Sequence, residues 1–414
     1  MTLWVLNAAL SPMLAGAAEV TFPLPAYTPD ELVTVREWEK TWAGKKIDTT
    51  NIDQVAEFLP DAYVTIMKEP EKWNAPPGEG NWFTIVPYRQ VLPTADEIEA
   101  TKKYAPLVQT DGDGIITNYT DIAGTPFPHP KTGLEVAYNL ECNTRGDTSN
   151  HMYDAPNVNP RTKTDRISKQ ELWYLYYIHR VAVDPRPAIP DNRKGYHRGE
   201  FLHMFLPPEM LNTRFFTMRF IDHTKEDVSY LYYAQYRRIR RLSTSERTNA
   251  IDGTDQIYDD GNMWDGHLSR NSYELNGTKE MLLCRHQDMQ KVTRRTGQAM
   301  ANGFEFERCN TYVIEVINED PNYLYSKRVW YVDPENYIIM WQDAYDELGR
   351  YWKCFMHATD NITTEQGDTK NYFVGFTIQD MQRTHSGFCR ITPKKLGGDI
   401  KPSMFTLSNL QKTY

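Results

Sequence analysis

The sequence predicts an α+β protein, mainly β with flanking helices, in which a strongly curved antiparallel sheet forms an unclosed half-barrel covered by helices and loops. Three observations lead to this prediction. From residue 171 onward, about ten segments alternate at period two, as strands do. Short turn-like connections at residues 333–336 and 346–349 join the last strands into an antiparallel meander. Apolar side chains on both faces of several segments indicate curvature, with a concave side that holds apolar groups.

The N-terminus has the pattern of a secretory signal. Residues 3–18 are apolar, end in small residues of the kind that a signal peptidase accepts, and are too few to span a membrane. We expect residues 1–18 to be a signal peptide and the mature chain to begin near Glu19. The basic residues that usually precede such a stretch are absent, so a buried N-terminal segment remains the alternative.

Three helices are predicted in the next hundred residues. A capping box at residues 28–31, with proline at the first helical position, starts a helix that extends to about residue 42. Residues 51–59 place apolar side chains on one face and predict a short helix that Pro60 stops. A second capping box at residues 94–97 starts a helix that ends before Pro106.

Two polar segments then divide the chain. The sequence Asp-Gly-Asp-Gly at residues 111–114 predicts a turn rather than a calcium loop, because Ile115 and Ile116 follow where oxygen ligands would be needed. Residues 154–166, rich in Asn, Pro and Thr, are predicted to mark a boundary. We therefore expect residues 19–165 to form a helical and irregular region that packs on a half-barrel of residues 166–414, within one structural domain.

Ten strands are predicted from the period-two alternation. They are residues 172–178, 201–206, 214–221, 228–242, 272–283, 312–317, 327–332, 337–345, 351–356 and 372–378. Residues 399–414, with Met404, Phe405, Leu407 and Leu410, are expected to supply a final covering segment.

Residues 228–260 are the most distinctive stretch. A tyrosine-rich strand continues into the basic run at residues 237–241, and the alternation puts Tyr230 and Tyr232 on the same face as Arg238 and Arg240. The arginines fit three alternatives. They could be a solvated strand end that pairs with the carboxylates of Asp255, Asp259 and Asp260, or they could bind an anionic headgroup or an acidic partner at a pocket rim. Nucleic-acid binding is the third, and the acidic net charge of the chain disfavours it.

This stretch also carries a family resemblance. The run Tyr-Arg-Arg-Ile-Arg-Arg-Leu-Ser at residues 236–243, followed by Gly-Thr-Asp and Tyr-Asp-Asp, resembles the outer-membrane-lipoprotein-sorting-like proteins of the LolA/LolB superfamily. It is most similar to the uncharacterised branch called domain of unknown function family thirteen-twenty-nine. Residues 34–59, the Pro-Phe-Pro at residues 126–128 and residues 330–352 are similar to that branch as well. The resemblance implies a LolA/LolB-like half-barrel in the periplasm, whose concave face holds lipid chains in its relatives. It implies no activity and no catalytic residues.

Composition and motifs exclude several functions. The net charge of −9 gives no support for a nucleic-acid partner. The five cysteines are scattered without a Cys-x-x-Cys pair, so neither a zinc site nor a thioredoxin-like motif is predicted, although one or two disulfides could form. No P-loop, nucleotide-binding glycine motif, nucleophile elbow or His-Glu-x-x-His motif occurs. On a strand, His197 and His203 alternate with Glu200 onto opposite faces, so we predict neither a metal nor a cofactor.

We therefore expect a non-enzymatic carrier or binding protein for a lipid or other hydrophobic molecule, in the periplasm of a Gram-negative bacterium, where a position peripheral to the outer membrane is one alternative. An accessory interaction protein of an envelope export system, bound to an envelope transporter or outer-membrane protein, is the alternative. An envelope hydrolase is a third. The residues expected to bind the ligand, chosen by the strand face on which they lie, are Phe216, Met218, Phe220, Tyr230, Tyr232, Trp330, Trp341, Arg238 and Arg240.

Overall fold

The computed structural model describes residues 22–242 and 254–412, and its main element is one unclosed, curved sheet. The predicted antiparallel half-barrel is thereby confirmed. The expected signal peptide lies outside the described residues. The strands, numbered in chain order, are Lys46–Ile47 (β1), Phe83–Ile85 (β2), Thr148–Asn159 (β3), Thr164–Tyr176 (β4), Tyr196–Leu206 (β5), Arg214–Phe220 (β6), Val228–Tyr233 (β7), Arg238–Leu242 (β8), Asn271–Leu283 (β9), Phe304–Asn318 (β10), Lys327–Val332 (β11), Ile339–Tyr345 (β12), Tyr351–Thr363 (β13), Thr369–Asp380 (β14) and His385–Leu396 (β15).

The helices are few and short. The two predicted capping boxes are present, at Thr28 with Glu31 and at Thr94 with Glu97. In each, the threonine hydroxyl accepts the N–H of the glutamate, whose carboxylate accepts the threonine N–H in return. The helices are Pro29–Trp42 (α1), Asp61–Lys68 (α2), Ala95–Tyr104 (α3), Gly133–Glu141 (α4) and Leu407–Leu410 (α5).

The sheet consists of two meanders joined at one seam. Strands β3 to β8 pair consecutively, as do strands β10 to β15, and β9 pairs with the outer side of the second group at β10. The seam is the antiparallel pairing of β15 with β3, where Ser386 is opposite Val158. Strand β2 pairs with β10 in parallel, with Phe83 opposite Phe304. Within the described residues, β8 pairs with β7 alone, so the sheet remains open at this end.

Three local predictions are wrong. Residues 154–166 are not a boundary, because they contain the tip of the hairpin in which β3 pairs with β4. Residues 51–59 form two short 3₁₀ turns, and Pro60 precedes α2 instead of ending a helix. Residues 228–242 are not one strand. They form the β7–β8 hairpin, in which Arg237 takes a positive φ of 50°.

The central strands are packed on both faces. On one face, the ring of Trp341 lies 5.1 Å from that of Tyr63 in α2. On the other, the ring of Trp330 lies 5.2 Å from that of Trp264. Trp330 is directly opposite Gln342 in the β11–β12 ladder, which places Trp341 on the reverse side. Core layers therefore cover this part of the sheet from two sides.

A buried carboxylate ties the N-terminal segment to the sheet. Glu335 follows β11, and its Oε1 accepts the backbone N–H of Ala26 at 2.8 Å and the hydroxyl of Tyr88 at 2.6 Å. Its Oε2 accepts the N–H of Val91 at 2.8 Å and forms an ion pair with Arg285. Both charged side chains are enclosed. The pair therefore fixes residues 26–91 against the second meander.

All five cysteines are buried with free thiols, so the disulfides that the sequence allowed are not formed. Burial raises the pKa of each thiol, most simply at Cys389, where the carboxylate of Asp154 adds to the effect. In residues 22–242 and 254–412, no helix has the length and apolar character needed to cross a membrane.

Candidate functional site

The open end of the sheet, strands β4 to β7, has one apolar and one polar face. Cross-strand partners share a face, and Phe216 lies opposite both Phe201 and Tyr230. Arg219, on the other face of β6, lies opposite Arg198. We call the first side the apolar end face. Its side chains are Trp173, Leu175, Phe201, Phe216, Met218, Phe220, Tyr230 and Tyr232.

The C-terminal segment covers the apolar end face, as predicted. Phe405 is 5% exposed and Leu410 is fully buried among its side chains, whereas Leu407 is 42% exposed. Gly199 provides the space for the Phe405 ring, since a Cβ at this position would lie 2.8 Å from it. Arg214 donates from Nη1 to the carbonyl oxygens of Leu410, at 3.1 Å, and of Lys412. Two large apolar side chains and one arginine therefore hold the segment in place.

Five of the nine predicted binding residues lie together on this face. Phe216 stacks on Tyr230 with ring centres 6.3 Å apart, and Met218, Phe220 and Tyr232 are on the same side of their strands. Trp330 and Trp341 are elsewhere, in core layers on opposite sides of the central sheet. The structure therefore brings together the residues of β6 and β7 but not the two tryptophans.

The face predicted for Arg238 and Arg240 is wrong. The turn at residues 234–237 changes the alternation, so Arg238 lies opposite Tyr233 and Arg240 opposite Leu231, away from the face of Tyr230 and Tyr232. Both arginines are exposed. The aspartates expected near them lie elsewhere.

Asp260 is one of these aspartates, and it belongs to a separate buried network. It accepts a hydrogen bond from Arg328 Nη1 at 2.7 Å and from the Tyr325 hydroxyl at 2.9 Å. Asp259 accepts the hydroxyl of Tyr323 at 2.9 Å. Asp255 has its carboxylate 3.8 Å from His385. Asp255, Asp259 and Asp260 thereby connect the segment that begins at residue 254 to strands β11 and β15.

The polar face of the open end carries buried ion pairs. Arg219 Nη2 donates to Asp227 Oδ2 at 3.1 Å. Arg198 Nε lies 3.1 Å from Glu200 Oε1, and its Nη2 contacts the carboxylate of Asp265. Each of these two guanidinium groups is therefore neutralised by carboxylates, as buried charges require.

Histidines adjoin these pairs but do not form a metal site. Burial lowers the pKa of His179 to about 4, and it lowers the pKa of His197 well below its usual value, where His179 and Arg198 add to the effect. His197 Nδ1 lies 3.3 Å from Glu141 Oε1, whereas His203 contacts Asn212 at 3.1 Å. No group of three or more potential metal ligands occurs among the described residues.

Two adjoining clefts open beside the polar face. They share Asn143, Tyr337, Lys370 and Asn371 as wall residues, and their volumes are about 40 and 30 Å³. A water molecule needs about 10–15 Å³ on this scale, whereas a ligand pocket usually provides roughly 300–1,000 Å³. Each cleft has room for a few water molecules, so neither provides the ligand-sized hollow that we expected under the sheet.

Sequence reasoning missed Arg145, which lines the smaller cleft, and the buried ion pairs of Arg198 and Arg219 on the polar face. The sequence Asn-Thr-Arg-Gly-Asp at residues 143–147 does indicate a turn, because Asn, Gly and Asp favour turns. Nothing local to this turn shows that its arginine is enclosed by aromatic rings from β4 and β14.

Comparisons with known proteins confirm the resemblance. A family model described as "Protein of unknown function (DUF1329)" matches residues 46–411. The "Uncharacterized protein PA3922" of Pseudomonas aeruginosa is 23% identical over 323 residues, which are 74% of this chain and 67% of that protein. A solved DUF1329 family protein from Desulfovibrio piger has a TM-score of 0.49 at 11% identity, covering 67% of this chain and 97% of its own. A putative outer membrane lipoprotein-sorting protein domain from Vibrio parahaemolyticus has a TM-score of 0.47 at 15% identity, covering 68% and 98%.

Proposed function

We propose that the protein is a carrier, and this proposal has two premises. The first is that the chain belongs to the DUF1329 family of proteins of unknown function. The second is the apolar end face and the C-terminal segment that covers it. On these premises the protein is a non-enzymatic periplasmic carrier or binding protein for a lipid or other hydrophobic molecule. The molecule binds to the apolar end face in place of the C-terminal segment.

The observation that carries this proposal is how the apolar end face is covered. Phe405 and Leu410 are the buried anchors of the cover, and a buried side chain of this size contributes about 1.5–3 kcal/mol. The two anchors together contribute about 3–6 kcal/mol, and an acyl chain gains about 0.8 kcal/mol for each buried CH₂ group, so a chain of about four to eight carbons can replace both. Such binding needs no dedicated polar residue, which fits a sequence without a catalytic motif.

The interior of the half-barrel supports the same location. Both faces of the central strands are packed by the protein's own side chains, and each of the two clefts has room for only a few water molecules. A hydrophobic ligand of lipid size can therefore be accommodated where a cover leaves, rather than in a hollow that already exists. The five clustered aromatic and methionine side chains of β6 and β7 are its proposed contacts.

A neutral fluorescent dye, N-phenyl-1-naphthylamine, tests the site. Phe405→Ala loosens the cover, so the dye should bind to this variant more strongly than to the native protein and its fluorescence should rise. Adding Gly199→Val fills the space of the Phe405 ring and should reverse the gain. Phe306→Ala, which opens a fully buried position in another core layer, is the matched control.

Equal dye binding by the Phe405→Ala protein and by the double variant would contradict the proposed location. Denaturation of the purified protein followed by lipid mass spectrometry tests the carrier function itself. Bound lipid is the expected result, and its absence together with no dye binding would refute the proposal. Stable co-purification with an envelope membrane complex, without lipid, would instead favour the accessory interaction protein.

A further inference from the structure

Arg145 is a half-buried cation that has no carboxylate partner among the described residues. It lies in the turn between α4 and β3, and its guanidinium carbon is 4.9 Å from the ring centre of Tyr174 and 5.8 Å from that of Phe373. Its Nη1 is enclosed and meets no hydrogen-bond acceptor. Among the described residues, no carboxylate forms an ion pair with it, in contrast to Arg198 and Arg219 nearby.

Hydrogen bonds of the neighbouring residues Thr144 and Asp147 fix the backbone of the turn that carries Arg145. Asp147 N–H donates to the carbonyl of Thr144 at 2.8 Å, and the Thr144 hydroxyl donates to Asp147 Oδ1 at 2.6 Å. The Asp147 carboxylate also accepts the backbone N–H groups of residues 181–183, at 2.6 to 3.0 Å. The backbone of the turn is therefore fixed, the rings of Tyr174 and Phe373 flank the guanidinium, and the fold bears the free-energy cost of its enclosed Nη1.

The cleft beside Arg145 suits a small anion. Its wall includes Asn143 and Asn262, each of which has one amide N–H left to donate after its hydrogen bond to Asn336 or Tyr174. Lys370, on the same wall, is neutralised by the carboxylate of Glu97. The uncompensated charge of the cleft is therefore that of Arg145, and the volume of about 30 Å³ adjoins the larger cleft.

We propose that this cleft binds an oxyanion, a carboxylate or phosphate group, through the guanidinium of Arg145. Arginine binds such groups through two parallel N–H donors, and a bound anion supplies the missing counter-charge. The group belongs either to a small free ion or to a lipid headgroup. The proposal does not rest on the carrier function, because Tyr174 and Arg145 are on the polar face and the proposed hydrophobic site is on the reverse side of β4.

Cation–π packing between Tyr174 and Phe373 is the competing role for Arg145. The two roles predict different effects of Arg145→Met. A structural arginine would leave the ligand-free protein less stable when replaced. If Arg145 instead serves to bind an anion, Arg145→Met should leave the ligand-free protein equally or more stable, because it removes an enclosed, unpaired charge.

Titration calorimetry and thermal unfolding at constant ionic strength test the site with four probes: inorganic phosphate, acetate, octyl phosphate and uncharged octanol. Phosphate or acetate should bind and raise the Tm of the native protein. Arg145→Met should weaken this binding about ten- to a hundredfold, and Arg145→Lys should weaken it less because it keeps the charge without the fork. Arg193→Met is the matched control, since that side chain is 88% exposed.

The pattern across the probes identifies the source of the anion. Binding of octyl phosphate but of neither small ion assigns the site to a lipid headgroup, and the reverse assigns it to a free ion. Equal binding of octanol and octyl phosphate would overturn the proposal, as would binding that Arg145→Met leaves unchanged, or no binding of any anion. If Arg145→Met fails to fold, Arg145→Lys carries the test, and anion binding of native strength in that variant would also overturn it.

Discussion

Replacing Glu335 by alanine should detach the N-terminal segment and remove much of the protein's stability. The substitution leaves the N–H groups of Ala26 and Val91 and the hydroxyl of Tyr88 without an acceptor, and it removes a charge that pairs with Arg285. Each unsatisfied buried donor costs about 1–3 kcal/mol, and breaking a buried ion pair costs about 3–5 kcal/mol. Arg285 keeps its contact with a second carboxylate, so the lower values apply.

The expected loss is about 6 kcal/mol or more, which equals the entire stability of domains at the lower end of the usual range. Urea unfolding followed by tryptophan fluorescence measures it, and hydrogen exchange of residues 22–91 shows whether this segment is released first. Glu347→Ala, an exposed glutamate in the β12–β13 turn, is the control and should change stability by less than about 0.5 kcal/mol. A loss below about 1 kcal/mol for Glu335→Ala, with unchanged exchange, would refute the reasoning.

Three further substitutions test local features. Burial raises the pKa of Asp343 to about 6, so protonation of this carboxyl favours the folded state. The stabilisation of about 3 kcal/mol is present below pH 4 and is lost as the pH rises from 4 to 6. Asp343→Asn should flatten that part of the pH–stability profile. Asp147→Asn should lower the free energy of unfolding by about 3 kcal/mol, measured in urea, because it weakens several charge-assisted hydrogen bonds to backbone N–H groups. Thr28→Ala should lower it by about 1 kcal/mol through loss of the α1 cap, with faster hydrogen exchange in the first turn.

Each of these outcomes has a contrary result. An unchanged pH–stability slope between pH 4 and 6 in Asp343→Asn would mean that the carboxyl is ionised in the folded protein as in the unfolded chain. A loss below about 1 kcal/mol in Asp147→Asn would show that the Arg145 turn is not held by this carboxylate. Protection of α1 equal to that of the native protein would show that Thr28 is dispensable.

Local signals account for the parts of the fold that the sequence predicts. A capping box lies within four residues, so the starts of α1 and α3 could be identified without tertiary information. The strand alternation likewise places Phe216 and Met218 on one face of β6, and the apolar side chains of Phe405 and Leu410 mark the covering segment. These patterns reflect burial on one side of a single element.

The errors arise where distant contacts override local composition. Strand β3 is rich in polar residues and contains Pro156, a composition typical of loops, yet its partners β4 and β15 hold it in the sheet. The β7–β8 turn lacks glycine, and Arg237 takes the left-handed conformation that glycine or asparagine normally signals. Arg145 became a candidate because of rings that lie far away in sequence, at Tyr174 and Phe373.

The seam between β3 and β15 has a consequence for how the chain is made. Each meander can assemble from neighbouring hairpins as it leaves the ribosome, but β3 must wait until β15, more than 200 residues later, has been synthesised. Until then the edge of β3 that pairs with β15 in the folded protein has no partner, and an unpaired edge of this length attracts strands from other chains. A newly made molecule is therefore most vulnerable to aggregation just before its last strand docks, which is the stage at which a chaperone would protect it.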